Sequence, residues 1–278
     1  MTSRDAVNRV QRLLKPAKVG HAGTLDPLAT GVLVIAIGKA TRLVPYVQQM
    51  SKTYSATFEL GKTSNTEDIT GEVTEHEVAQ TPDFANIENV LPAFVGEIQQ
   101  RPPAFSALRV NGKRAYDLAR KGKDVQLKSR AIVIHDIQLL HYEWPVLKLN
   151  VVCGSGTYIR SLGRDIGEQL GCGALMTALQ RTAIGNFHID EARQPEFADK
   201  SAVETALLPA VDGLQALPSV VVSEADVTTL SFGQSIDLRD ASEESAAEVA
   251  AVDQTGALVA VLTKKAGHYR PAINFVAK

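Results

Sequence analysis

The sequence predicts an α+β (mixed α/β) fold with a small β-rich module at its C-terminal end. Three patterns carry that prediction. Apolar residues return every three or four positions in 2–14, 84–94 and 157–170, the period of an amphipathic helix. They alternate with polar residues in Lys52–Leu60 and Val146–Cys153, the period of a half-buried strand. Beyond residue 219 the chain breaks into short strands and turns, among them Gly233-Gln234, Asp253-Gln254-Thr255-Gly256 and a strand over 258–262. A chain of 278 residues suits one large domain plus a small one, because single cores stop growing at about 250–300 residues. The stretch 191–219, punctuated by Pro195, Pro209, Gly213 and Pro218, places the division near Leu217, giving domains 1–217 and 218–278.

Composition narrows the function classes. A formal charge of −2 gives no global sign of a polyanionic partner, so nucleic-acid binding has to rest on local patches. Two cysteines, Cys153 and Cys172, outside any Cys-x-x-Cys pair, fit a reducing cytoplasm and supply no zinc cluster, and the six histidines are scattered. The apolar run Val32–Ile37 falls far short of the ~20 residues that span a bilayer, so a soluble, cytoplasmic protein is expected.

Taken in order, the first element is a helix with Ala6, Val10, Leu13 and Leu14 on one face and Arg4, Arg9 and Arg12 elsewhere; Thr2 or Ser3 caps it and Pro16 ends it. Next comes Gly-His-Ala-Gly-Thr-Leu-Asp-Pro-Leu-Ala-Thr-Gly over 20–31, followed by the run Val32–Ile37, which reads as a buried strand. Gly20, Gly23 and Gly31 allow backbone angles closed to other residues, and Pro27 biases Asp26 toward an extended conformation. Asp26 is thus held on a rigid loop, either as an Asx-turn or cap or, with His21 and Thr24 nearby, as a functional carboxylate.

That stretch resembles the catalytic motif of the TruB-type tRNA pseudouridine synthases, which convert the uridine at position 55, in the T-loop of tRNA, to pseudouridine. The resemblance implies a largely antiparallel sheet flanked by helices. It also implies that Asp26 is the essential aspartate and that His21 helps displace and replace the flipped base. Family members usually carry a Leu-Asp-Lys-Pro-x-Gly strand ahead of the Met-Thr-Ser with which this sequence begins.

A short helix over 41–50 and the strand Lys52–Leu60 follow, the latter with Tyr54, Ala56, Phe58 and Leu60 on one face. Read alone, Tyr54 is a core or interface residue. The resemblance in Ser51-Lys52-Thr53-Tyr54 implies instead that it stacks on the flipped uracil, a contact worth ~1–3 kcal/mol. Asp68 to Gly71 is a turn, and Thr81-Pro82 opens an amphipathic helix with Phe84, Ile87, Val90, Leu91 and Phe94.

The segment 101–124 sets seven cations, Arg101, Arg109, Lys113, Arg114, Arg120, Lys121 and Lys123, against Asp117 and Asp124, a local charge of +5. Such a run is either a solvated face or, with Phe105 and Tyr116 interleaved, a surface that grips phosphates and stacks bases. Lys113 to Lys121 reads as a short helix ended by Gly122. Pro102-Pro103-Ala104-Phe105-Ser106-Ala107-Leu108-Arg109 resembles the Pro-Pro-x-Tyr-Ser-Ala-x-Lys pattern of the RNA-binding thumb insertion of bacterial members, implying RNA contacts from Arg109, Lys113, Arg114 and Arg120.

Strands over 131–142 and 146–153 lead through Gly154-Ser155-Gly156 to a helix with Ile159, Leu162, Ile166 and Leu170 inward. On sequence alone Arg160 is a surface residue of that helix. Thr157-Tyr158-Ile159-Arg160-Ser161-Leu162 resembles a second family motif, which would set Arg160 against Asp26 and Tyr158 near the substrate. Leu179-Gln180-Arg181-Thr182 is similar to the family's Leu-Arg-Arg-Thr, implying that Leu179 packs on the target base and Arg181 contacts RNA. The C-terminal stretch resembles the small PUA-like module of bacterial members.

The expectation is therefore a monomeric tRNA uridine isomerase acting on the T-arm stem-loop. It needs no membrane, and its chemistry calls for neither a metal nor a redox cofactor. Three alternatives stand beside it: a tRNA-binding or folding protein without catalysis, a small-nucleoside hydrolase, and a guide-RNA-directed relative. Hydrolases of that kind mostly use two carboxylates. The thumb-like insertion favours the stand-alone bacterial type over the guided one.

Overall fold

The strand Lys52–Leu60 pairs antiparallel along both edges, with Val146–Cys153 on one side and Ala174–Ile184 on the other. The computed structural model describes residues 1–106, 108–110, 112–119, 127–238 and 246–276. The chain forms two compact units, one of Leu25–Val32 and Ser51–Glu191, the other of Met1–Thr24, Leu33–Met50 and Ala192–Lys278.

The first unit is built on a seven-stranded sheet in the order Phe187–His188, Ala174–Ile184, Lys52–Leu60, Val146–Cys153, Arg130–Glu143, Gly96–Gln100, with Thr30–Gly31 added parallel to Ala174–Ile184. Its other pairings are antiparallel, as the resemblance implied. Alternation decides which side chains face inward: Ala56, Phe58 and Leu60 are buried, and so are Leu147, Leu149 and Val151 on the next strand. The helix Ile159–Gln169 closes this face through Leu162 and Ile166, both fully buried. Each such side chain contributes about 1.5–3 kcal/mol.

That helix lies unusually close to the sheet because two of its inward positions carry no side chain. A Cβ on Gly163 would stand 2.3 Å from the Phe58 ring, and one on Gly167 would stand 2.3 Å from the Ala174 backbone nitrogen. Helix propensity alone would favour alanine at both places, by roughly 1 kcal/mol. The close approach overrides it.

In the second unit the helix Ser3–Leu14 is capped by Thr2, whose side chain accepts from Asp5 N–H while the Asp5 carboxylate binds Thr2 N–H. It buries Val7, Val10 and Leu14 with Val19 and Val203, and Arg9 pairs with Glu196. The C-terminal stretch forms a four-stranded sheet, Ser219–Val221, Glu248–Val252, Leu258–Lys265 and His268–Asn274, backed by the helix Glu224–Ser231.

Several local expectations change. The apolar run Val32–Ile37 is not one buried strand. Val32 exchanges hydrogen bonds with Arg181, whereas only Ile35–Ile37 is a strand, half-buried and paired with Val19–His21. Thr41 to Met50 becomes a 3₁₀ turn, Gly38–Leu43, followed by the helix Val44–Gln49. Asp83, not Thr81-Pro82, caps the next helix, because its carboxylate accepts Asn86 N–H at 2.8 Å. Lys113 and Arg114 are not helical: they pair with Arg109–Val110 as a two-residue hairpin, and the helix begins at Ala115.

The packing predicts that Gly163→Ala lowers stability by about 1–3 kcal/mol in urea unfolding, the usual cost of overpacking a filled core. A neutral or stabilising change would contradict the close approach to Phe58.

Candidate active site

Asp26 sits on a loop fixed from below. Its backbone carbonyl accepts Ala29 N–H at 2.9 Å, Leu28 and Ala29 pack on the sheet's apolar cluster, and Val32 N–H donates to Arg181 O at 2.8 Å. Gly31 adopts φ +103°, and a Cβ there would lie 2.2 Å from Arg181 O, so only glycine lets the loop close on the strand. Gly20, expected to need the same freedom, has open space where a Cβ would be. The Asp26 carboxylate neither caps a helix nor closes an Asx-turn. It accepts Arg160 Nε at 2.9 Å, with its side chain still 37% exposed.

Arg160 is itself shut in, with 6% of its side chain exposed. Its Nη1 donates to Thr66 O at 2.8 Å and its Nη2 to Phe105 O at 3.2 Å, while Asp68 lies 3.6 Å from Nη1. A buried guanidinium is tolerated when its donors are met. Here they are met from three separate segments, and the shared geometry aims the cation at one carboxylate oxygen. Asp68 is in turn held by Thr66 Oγ1 at 2.8 Å, Thr70 N–H at 2.9 Å and Thr70 Oγ1 at 2.6 Å.

One helical turn on, Arg164 pairs with Glu67 and Asp165 and donates to Arg101 O at 2.9 Å. Glu67, at φ 64°, also accepts Ser161 Oγ at 2.6 Å. Burial pushes the Glu67 carboxyl above its usual range, against the pull of Arg164 and Ser161.

Tyr54 packs on the core cluster beside Arg181, and burial raises its hydroxyl pKa. Leu179 is buried in the same cluster. Tyr158 is the N-cap residue of the Arg160 helix and is half-buried. His21 lies in the strand Val19–His21, where its Nδ1 accepts Gly23 N–H at 3.3 Å. Arg181, expected to reach RNA, is only 2% exposed, and its Nε donates to Val32 O at 2.8 Å. It serves the interior, because its strand is covered by the Asp26 loop. Arg109, Lys113 and Arg114 form the two arms of the short hairpin, and Arg120 lies outside the described residues.

Two family models match the chain end to end over most of its length: the TruB family pseudouridylate synthase N-terminal domain over residues 11–159, and the tRNA pseudouridylate synthase B C-terminal domain over 160–211. The chain belongs to the TruB family of pseudouridylate synthases. Its relatives include tRNA pseudouridine synthase B of Arthrobacter sp. (strain FB24), 43% identical over 99% of this chain and 92% of that protein. Another is tRNA pseudouridine synthase B of Parabacteroides distasonis, 48% identical over 71% of this chain and 87% of that protein. Among solved structures, a Cbf5–Nop10–Gar1 complex aligns with TM-score 0.70 and 27% identity over 100% of this chain and 81% of its own. An H/ACA ribonucleoprotein bound to a substrate RNA containing 2'-deoxyuridine shares the fold, with TM-score 0.73 and 24% identity over 100% of this chain and 82% of its own.

Of the residues that the sequence motifs named in this TruB-family chain, Asp26, Tyr54, Tyr158, Arg160 and Leu179 fall in one unit, and His21 falls in the other. The motifs missed Thr66, Glu67 and Asp68, a turn that receives both helix arginines. The pair of acids in a threonine-rich turn was the available signal. Among the described residues no cluster of His, Cys, Asp and Glu has metal-binding geometry, and no helix is long and apolar enough to cross a membrane.

Beside Tyr54, Lys52 and Cys153 face each other across the sheet, both buried. Burial lowers the Lys52 amine pKa and pushes the Cys153 thiol from 9.0 up to about 11. With the folded pKa above the unfolded one, the thiol's contribution to stability is whole below about pH 9 and is lost as pH rises through about 11. Denaturant unfolding of wild type against Cys153→Ala should therefore show a stability difference that shrinks over that window. A difference independent of pH would contradict the buried neutral thiol.

Proposed function

We propose that this TruB-family enzyme isomerises the uridine at position 55, in the T-loop of tRNA. The observation that carries the reading is the Asp26 carboxylate, partly open to solvent and aimed by a buried arginine at 2.9 Å. Curated relatives across most of the chain are named tRNA pseudouridine synthase B, which supports tRNA as the substrate class.

The reaction breaks the N1–C1′ bond, turns the uracil and joins C5 to C1′; the proton lost from C5 is matched by one gained at N1. No atom or electron enters or leaves. The protein has to extrude the base, hold it while detached and act at the glycosidic bond. Asp26 acts at that bond, and Arg160 holds its carboxylate aimed. Tyr54 offers its ring to the extruded base, with Leu179 and Tyr158 walling the pocket and His21 displacing the base from the loop. Arg109, Lys113, Arg114 and Arg120 supply the phosphate grip of the 101–124 thumb. Arg181 contributes by bracing the Asp26 loop.

The enzyme works as a cytoplasmic monomer, with 1–217 carrying catalysis and 218–278 a PUA-like module that steadies the tRNA. Pseudouridine at position 55 of an unmodified tRNA transcript, measured for wild type and Asp26→Asn, tests the reading. Wild type should convert the transcript and Asp26→Asn should bind it without converting it. Equal conversion by both would remove Asp26 from the chemistry. Binding without conversion by both would favour a non-catalytic tRNA-binding protein.

A further inference from the structure

Gln100 ends the strand Gly96–Gln100, directly opposite Arg130, which begins Arg130–Glu143. The basic segment leaves the sheet after the first and rejoins it at the second. Both side chains then converge on one residue, Tyr158. Gln100 is 1% exposed, and its amide grips both backbone polar groups of Tyr158: Nε2 donates to Tyr158 O at 3.0 Å, and Oε1 accepts Tyr158 N–H at 2.9 Å. Arg130 lies over the Tyr158 ring, 5.1 Å from its centroid, and its Nη2 donates to Gly156 O. Among the described residues the buried Arg130 Nε has no hydrogen-bond partner.

Tyr158 is where the helix begins. Its side chain does not cap the helix, and its carbonyl accepts Leu162 N–H at 3.1 Å as well as the Gln100 amide. Gln100 thus takes the place of a capping side chain and fixes the direction of the first turn. Arg160 stands two residues further on. The helix also reaches back to the start of the basic segment, through Arg160 to Phe105 O and through Arg164 to Arg101 O.

We propose that Gln100 is a positioning residue for the isomerisation. By pinning the Tyr158 backbone it sets how Arg160 presents Asp26, and with Arg130 it ties that setting to the two strands that carry the basic segment. This rests on the roles given above to Asp26 and Arg160.

The test is single-turnover pseudouridine formation on a tRNA transcript at saturating enzyme, with RNA affinity measured separately. Gln100→Met keeps the volume and removes both hydrogen bonds; Arg130→Met removes the ring cover independently. Both should slow the rate at saturation by about 10- to 100-fold, since an ångström of misplacement costs that much. Affinity for Gln100→Met should stay within about threefold, a change worth less than 1 kcal/mol. Ile134→Val, a core change on the same strand as Arg130, should keep the wild-type rate at equal folded fraction. A wild-type rate for a folded Gln100→Met, a loss confined to affinity, or an equal slowing in Ile134→Val would overturn the proposal. If Gln100→Met does not fold, Arg130→Met decides alone. Asp26→Asn run alongside separates the two levels: conversion by that variant sinks the catalytic assignment, whereas its inactivity with full-rate Gln100→Met sinks only the positioning role.

Discussion

A guanidinium removed from water must have its donors satisfied, and the Arg160 guanidinium finds its acceptors in three stretches of chain that are far apart in sequence. Asp26, Thr66 O and Phe105 O each take one donor, and the Asp68 carboxylate adds charge balance. Removing any one would leave a buried donor of a charged group short of a partner, a cost of about 1–3 kcal/mol. The arginine therefore orders the Asp26 loop, the 64–70 turn and the root of the basic segment at once.

The rest of the first unit serves that arrangement. Gly163 and Gly167 let the helix settle on the sheet, which brings Arg160 and Arg164 to the turn that carries Glu67 and Asp68. Gly31 lets the Asp26 loop close onto Arg181 O, so the carboxylate approaches from the opposite side with little freedom. Pre-set geometry of this kind spares the reaction the cost of orienting groups at the moment of bond cleavage.

Local pattern made some of this legible. Lys52–Leu60 and Val146–Cys153 were read to the residue because alternation and β-branched or aromatic content are written within each strand. The Asp26 motif marked the loop, and its family resemblance named Arg160 as the partner. The burial of Arg160 is not legible in sequence, since it depends on a loop, a turn and the Phe105 backbone brought in from elsewhere. The sequence marks only Asp68 to Gly71 as a turn and gives no sign of the roles of Thr66 and Glu67, because their arginine partners lie 94 and 97 residues away. Lys113-Arg114 looked helical by composition, but pairing with Arg109-Val110 is a tertiary choice that a window of nine residues does not reveal. Arg181 followed a phosphate-binding pattern, yet the covering loop turned it inward.

The central claim is that Arg160 acts through its geometry on Asp26 and not merely through its charge. Arg160→Lys keeps the charge and gives up the fork of donors. Single-turnover pseudouridine formation by this variant at saturating tRNA is the direct test. The account predicts a rate about 100-fold or more below wild type, with tRNA affinity retained. A wild-type rate, or a deficit found only in affinity, would contradict it.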